Sequence, residues 1–453
     1  MAVVVAKKKR QPVAKKTATP PGVAVAGNKK TATPPVVAAP RFSHLAVNGR
    51  SASFDVAGID LCIVNSLRRS IMAEVPTAAF PFDAAGHPAD GGISLLRNSC
   101  CLNNEFVGHR ISLVPIGFDE NQLHMFDPLN YRFVLKVKND SCDMRVVTTA
   151  DFEVFDRADA RLPKAARDAL FPACPETGDH IMLLRLRPST LCDGNGEEIH
   201  MEAHAVVGTG RKHARWSPVN SCFCRNKVDP ELRRLALEGI LDAMKQAGKS
   251  DDDMEDARKQ HDTLGAHQCF AKDEYGNPVA FEFFLESEAP RLRPTYLVFK
   301  GLSVLRHKLD EVRADLISGA DSKTVVEPVP NMDDFYHITV RDEDHTLGNL
   351  IQGMLYRRWV RDGLGREVAY VGYYQPHPLE NNIAFKIKCV EPGDDVRKRF
   401  AEGVAWAAEQ FDGLIDEWIE FSGLDKDDVV EVKELLMRKE RKRTSAASVV
   451  QST

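Results

Sequence analysis

No run in the 453-residue sequence approaches 18 consecutive apolar residues, which excludes a membrane-spanning helix. A basic-then-apolar secretory leader is missing too; the only apolar run before the lysines is residues 2–6. Cysteine is sparse: ten residues are too few for a disulfide scaffold and fit a reducing setting, whether cytosol, nucleus or virion. None stands in a Cys-x-x-Cys pair, the nearest neighbours being Cys100-Cys101 and Cys222-Phe-Cys224, so structural zinc is not expected. There is no glycine-rich phosphate loop, no His-Glu-x-x-His and no Gly-x-Ser-x-Gly, and no enzyme is indicated. What is present is 43% hydrophobic and 28% charged, with room for two or three domains.

Charge is unevenly spread. Residues 1–40 hold eight Lys or Arg and no Asp or Glu, so the net −5 leaves −13 on the remaining 413 residues. A body that acidic makes a poor DNA clamp, because neutralising phosphates needs a basic face, and its average points to protein partners. Residues 1–40 contain six prolines, no aromatic residue, and Lys-Lys-Thr-Ala-Thr-Pro-Pro at both 15–21 and 29–35. Such a composition buries too little apolar surface to offset its ordering entropy and reads as a disordered basic tail. Its Lys7-Lys8-Lys9-Arg10 cluster has the form of a nuclear localisation signal or nucleic-acid tether, and equally of a plain solvated tail. The tail also motivates a rival reading of the protein as chromatin-associated or DNA-binding.

From residue 41 short apolar strands alternate with helical stretches. Strand-like runs at 52–56 and 336–340 each precede an amphipathic helix. Both helices open on an Asp five residues before an Asn: Asp60 and Asn65, then Asp344 and Asn349. Leu302, Leu305, Leu309, Val312 and Leu316 make one apolar helix face; Val396, Phe400, Val404, Ala407, Phe411, Leu414 and Trp418 make another. The polar stretch 318–329 between them reads as a break. A further helix is expected after Gly423, closing in the basic 438–443. The repeated Asp and Asn pattern suggests two related halves that pack like a dimer. Residues 251–256, five acids in six, read as a solvated loop or linker.

Several polar clusters invite a functional reading. His200 and His204 share a strand face, but without a third ligand nearby the pair is a weak metal candidate. Cys222 and Cys224 share a strand face as buried free thiols commonly do. Arg68 and Arg69 follow Asn65 on a helix whose apolar needs are met by Ile63, Val64, Leu67 and Ile71, so both are expected to point outward, as interface anchors or as ordinary surface. Arg211-Lys-His-Ala-Arg215-Trp216-Ser-Pro218 sets basic groups beside a Trp on a loop, a form suited to stacking bases or to a protein-protein hot spot.

Four stretches in order resemble the alpha-like subunits of multisubunit DNA-directed RNA polymerases, in the form of the third subunit of eukaryotic RNA polymerase II. They are Asn65-Ser-Leu-Arg-Arg-Ser-Ile-Met-Ala-Glu-Val-Pro76-Thr, Asn104-Glu-Phe-Val-Gly-His109-Arg110-Ile-Ser-Leu-Val-Pro115, Gly210-Arg-Lys-His-Ala-Arg-Trp216, and Phe281-Glu-Phe-Phe-Leu-Glu286 leading to Leu302. Two later stretches are similar to the eleventh subunit: Asp344-His-Thr-Leu-Gly-Asn-Leu-Ile351 and Val371-Gly-Tyr-Tyr-Gln-Pro376-His-Pro378-Leu-Glu380. A single chain carrying both resembles the fused form found in some large DNA viruses.

The resemblance implies an α+β fold with two alpha-like dimerisation domains forming an intramolecular pseudo-dimer, plus a mostly β insert. The implied segments are a tail at 1–40, the third-subunit-like domain at 41–82 and 220–320, and the insert at 83–219. They continue with a linker at 321–329, the eleventh-subunit-like domain at 330–440 and a tail at 441–453. Leu67, Ile71, Leu305, Leu309, Leu347, Leu350, Ile351, Phe411 and Trp418 are the implied pseudo-dimer interface. Asn65, Arg68, Arg69, Arg110, Lys212, Arg215 and Trp216 are the implied partner contacts. The implied role is assembly, not chemistry: the second-largest subunit binds first and the largest follows, with small polymerase subunits also attached. DNA would be reached only through the complex, and no membrane, small-molecule substrate or cofactor is implied. The setting would be a nucleus or a viral factory in the host cytoplasm, with packaging in the virion an associated expectation. Many members carry a four-cysteine zinc loop after the His-Arg motif; residues 116–131 hold no cysteine. Some archaeal members carry an iron-sulfur insert; residues 225–280 hold only Cys269, so neither metal is carried over.

Overall fold

A computed structural model describes residues 41–82, 92–189, 195–319, 323–361 except 331 and 333, 367–424 except 392, and 429–437 except 436. Both the 1–40 tail and the basic 438–443 fall outside the described residues.

Alternating apolar residues pair β1 (Arg41–Asn48) with β2 (Ser51–Ala57), which leads into α1 (Leu61–Ala73). The chain then leaves through β3 (Pro76–Ala79), β4 (Ile93–Asn98), α2 (Asn104–Ser112), α3 (Glu120–His124), β5 (Tyr131–Lys138), β6 (Arg145–Thr148), β7 (Phe152–Asp156), α4 (Lys164–Leu170), β8 (Met182–Leu186), β9 (Glu198–Ala203) and β10 (Val206–Thr209). These form a four-stranded sheet ordered β4-β9-β5-β7 and the ribbons β3-β10 and β6-β8. They close over their own core, in which Phe80, Phe133, Phe152 and Phe171 interlock at centroid distances of 4.9–6.1 Å.

On its return the chain forms β11 (Val219–Asn226), α5 (Pro230–Gln246), α6 (Asp251–Gln260), β12 (Ala280–Ser287) and the long α7 (Pro294–Ser318). The acidic run 251–256 is thus helical, not a loop. Ser250 and Asp253 form a reciprocal capping box, and aspartates in the first turn suit the positive end of the helix dipole.

The remainder runs through β13 (Thr324–Pro328), β14 (Phe335–Arg341), α8 (His345–Leu355), β15 (Val368–Tyr374), β16 (Asn382–Cys389) and α9 (Val396–Ser422). The expected linker at 321–329 is therefore largely a strand. Buried Asp315 explains it: its carboxylate accepts the Thr324 amide and hydroxyl, both at 2.6 Å, and the Lys323 amide at 3.1 Å, pinning β13 beside β14. Beyond α9, residues 430–435 are helical, and Val429 and Val432 are buried.

The two halves share one plan. The first has sheet order β1-β2-β12-β11 and the second β13-β14-β16-β15, with a helix after the second strand and a long helix after the fourth. What distinguishes the first half is the excursion between α1 and β11 and the α5–α6 pair between β11 and β12. Both halves contribute to a single core. Phe54, Leu67, Leu305, Ile351, Phe411 and Trp418 belong to one continuous buried cluster. β1 is clamped by α9: Phe42 meets Trp418 edge-on at 5.0 Å, and its amide donates to Glu417 Oε1 at 3.3 Å.

Candidate functional site

The surface where the halves meet is built mainly from four helices. Helix α7 presents its leucine stripe to α9, and the two run antiparallel, since Trp418 near the end of α9 donates its indole N–H to Thr295 O, at the start of α7, at 2.9 Å. Midway, Arg306 forks onto Asp412 with Nε to Oδ1 at 3.1 Å and Nη2 to Oδ2 at 3.0 Å. This bidentate geometry fixes the register of the two helices as well as attracting them.

Helices α1 and α8 cross beside this pair. Ser66 Oγ donates to Thr346 O at 3.2 Å, and Arg69 Nε donates to Thr346 Oγ1 at 2.7 Å. Arg69 Nη2 also stands 3.5 Å from Asp344, the N-cap of α8, while Arg357 Nη1 reaches Asp60, the N-cap of α1, at 3.0 Å. Counted from these caps, Cys62 corresponds to Thr346 and Arg69 to Gly353. Gly353 packs on Cys62: a Cβ on Gly353 would lie 2.7 Å from Cys62 Sγ. So Arg69 meets Thr346 while its counterpart meets the counterpart of Thr346, which is the reciprocity of a two-fold interface. Its two sides differ in size, a large residue facing a polar one at one crossing and a missing side chain making room at the other.

Charge completes the junction. Lys308 Nζ bridges Glu74 at 3.1 Å and Glu343 at 3.0 Å, and Lys323 reaches Glu343 at 3.1 Å; the Glu343 side chain is only 3% exposed. Burial opposes ionisation of Asp344, but hydrogen bonds from the Thr346 hydroxyl and amide, helped by Arg211 and Arg69, outweigh it and hold the carboxyl below its usual range. Burial, reinforced by Asp60, pushes the Cys62 thiol up to about 12.

Leu67, Ile71, Leu305, Leu309, Leu347, Leu350, Ile351, Phe411 and Trp418 are all buried together in the shared core. The polar residues assigned to partner contacts are dispersed. Arg69 is engaged across the junction and does not simply point outward. Arg68 folds back onto Asn65 Oδ1 with Nε at 3.1 Å and Nη2 at 3.0 Å. Arg110 ties α2 to β8 through Leu183 O at 2.7 Å and Met182 O at 3.2 Å. Arg215 holds Phe80 O and Phe82 O at 3.1 and 3.3 Å and covers the Trp216 ring, whose N–H donates to Val206 O at 2.9 Å. The Arg215–Trp216 pair thus staples the β3-β10 ribbon, and Lys212 is exposed beside it. His204 Nδ1 lies 3.1 Å from Tyr131 O, and among the described residues no three His, Cys, Asp or Glu are placed to hold a metal ion.

The second half of this junction matches a known domain. Residues 336–417 match the model of the RNA polymerase Rpb3/Rpb11 dimerisation domain. The chain carries an Rpb3/Rpb11-type domain. It is also homologous to polymerase subunits over longer stretches. It is 25% identical to the RPAC1 subunit of RNA polymerases I and III of Saccharomyces cerevisiae, over 59% of this chain and 85% of that one. Identity to human RPAC1 is 27%, over 44% of this chain and 61% of the relative. For the Dictyostelium discoideum RNA polymerase II subunit rpb3 it is 25%, over 46% and 64%. The chain spans less than two thirds of the length of the human and Dictyostelium relatives. The relatives include subunits of polymerases I and III as well as II, so the likeness is to the RPAC1 and Rpb3 types together.

Proposed function

We propose that the chain is a non-catalytic assembly platform of a DNA-directed RNA polymerase, carrying both alpha-like partners in one polypeptide. The observation that carries this reading is the pair of halves with one strand order, joined through α7 and α9 around a shared core. Linking two partners covalently makes their association intramolecular and raises its effective concentration. On this platform the second-largest subunit docks first and the largest follows, with small subunits on the periphery; the segments at 41–82 with 220–320, 83–219 and 330–440 act as its three domains. Asn65, Arg68, Lys212, Arg110, Arg215 and Trp216 serve as its partner contacts, with the last three also holding local structure. A source in a large DNA virus, with work in a nucleus or viral factory and packaging in the virion, accords with a one-chain arrangement.

The test is co-purification of the native protein. Two very large polymerase subunits in stoichiometric amounts are expected. Their absence, with chromatin recovered instead, would overturn the reading in favour of a DNA-binding protein acting through the 1–40 tail.

A further inference from the structure

Because the two sheets share a strand order, every position on the outward face of one has an equivalent on the other. In the second half that face carries Phe335 and His337 on β14, Lys386 and Lys388 on β16, and Tyr370 and Tyr374 on β15. Lys388 lies in register between Phe335 and Tyr370. Two edge-to-face aromatic contacts span the sheet, Phe335 with Tyr370 at 6.0 Å and His337 with Tyr374 at 5.8 Å. The tyrosines are 48% and 43% exposed.

The fold does not require these side chains. The matching positions of the first half are Ser51 and Ser53 for Phe335 and His337, Phe284 and Glu286 for Lys386 and Lys388, and Ser221 and Arg225 for Tyr370 and Tyr374. That first face pairs its acids off, Asp55 with Lys227 and Glu282 with Arg225, both at 2.6 Å, while the second face sets Glu327 beside His337 and leaves its two lysines without a carboxylate among the described residues. One backbone plan thus displays two different faces: the first stacks Phe223 on Phe284 at 5.0 Å among paired charges, and the second sets its rings beside lysines that have no carboxylate partner among the described residues.

Two details point to the ligand. The ammonium groups of Lys386 and Lys388 stand 4.9 and 5.2 Å from the Phe335 ring centroid, and among the described residues neither is ion-paired with a carboxylate, so their charge is left for a ligand. Between the rings, Gly372 opens the surface: a Cβ there would lie 2.7 Å from the Tyr370 hydroxyl, so only glycine lets that ring lean over the strand. Exposed rings beside unneutralised cations suit bases and phosphates of a single strand, whereas the bases of a duplex are already stacked.

We propose that this outer sheet face binds single-stranded nucleic acid, with bases stacking on Tyr370 and Tyr374 and phosphates pairing with Lys386 and Lys388. The proposal stands independently of the assembly role. The basic 1–40 tail supplies its own attraction for polyanions, so the measurement has to read the face and not total affinity alone.

Fluorescence anisotropy of a labelled mixed-sequence 12-nucleotide RNA, titrated with the full chain at several salt concentrations, does so. Tyr370→Ala with Tyr374→Ala should weaken binding by about tenfold or more while leaving the salt slope unchanged. Tyr370→Phe with Tyr374→Phe should retain binding. Lys386→Gln with Lys388→Gln should reduce the slope of log affinity against log salt by about 1.4, at about 0.7 per phosphate contact on a single strand. Melting curves identify any variant that fails to fold, and the Phe and Gln pairs keep the test decisive if the Ala pair does. Face variants that bind RNA like the parent overturn the proposal, the tail then being the binder. The same result with loss of co-purifying proteins also overturns it, and makes the face a protein-docking surface.

Discussion

Arg69 on α1 and Thr346 on α8, 277 positions apart, are joined by a 2.7 Å hydrogen bond from the guanidinium Nε to the hydroxyl. Arg68, one residue earlier, turns back onto its own helix. Neighbouring arginines of one motif therefore separate into a junction residue and a surface residue. Arg69→Ala should lower stability by about 1 kcal/mol, the net worth of one such bond, or about 2–4 °C in melting temperature. Arg68→Ala should stay within about 0.5 kcal/mol. Melting curves of the two single variants decide it; equal losses would deny Arg69 its junction role.

Gly353→Ala should destabilise by about 1–3 kcal/mol, because the new methyl overlaps Cys62 Sγ in a packed core. Combining it with Cys62→Ala should recover part of that loss. A denaturant double-mutant cycle reads the coupling, and strict additivity would mean that the two residues do not press on one another.

A protease site placed between Gly319 and Lys323 should yield two fragments that stay together in gel filtration, since α7 and α9 bury their stripes against each other. Cutting within Thr324–Pro328 should destabilise the product, because β13 and its anchor Asp315 would be parted. Fragments that separate under native conditions would refute the shared core.

Acid should loosen the junction. Asp344 is held below its ordinary value, so the stability it contributes is full above about pH 4, near the carboxylate value of an unfolded chain, and is lost as pH falls through the lower folded value. The partly exposed carboxylate limits this to at most about 1 kcal/mol. Asp344→Asn should flatten that part of the acid limb in melting against pH. At the alkaline end, burial opposes the charge on Lys323, but Glu311 and Glu343 raise its value, so its contribution fades only as pH climbs through that raised value.

Thiol labelling should split the cysteines. Burial pushes Cys222 up to about 12, matching Cys62, whereas backbone amides of Thr177 and Glu176 lower exposed Cys174. Iodoacetamide at pH 8 should modify Cys101 and Cys174 quickly and reach Cys62 and Cys222 only after unfolding. Elemental analysis of the same sample should find well under one zinc per chain; chelator-resistant stoichiometric zinc would redirect attention to His200, His204, Cys222 and Cys224.

Helices α7 and α9 were legible because a leucine-rich or aromatic stripe at helical spacing leaves little alternative. Helix α6 was not, since it has no apolar stripe and its signal is only the Ser250 and Asp253 box. Strand β13 was hidden for a similar reason: its few β-branched residues are held by Asp315, which lies on the preceding helix and looks like any surface acid in sequence. The partner of Arg69 could not be read from α1 at all, because it depends on how two distant helices cross. The alternation Phe385, Lys386, Ile387, Lys388 marks one strand face as outward, but only the neighbouring strands bring aromatic rings to it.

The clamp of β1 by α9 sets a timetable for synthesis. Phe42 waits for Glu417 and Trp418, residues translated 375 and 376 positions later. Until they leave the ribosome, Phe42, Phe54 and the stripe of α7 have no complete cover, although their own sheet can already pair through β12 and β11. The nascent first half is therefore sticky for the whole time that the second is being made, and a chain halted near residue 320 would be captured by chaperones or lost to aggregation.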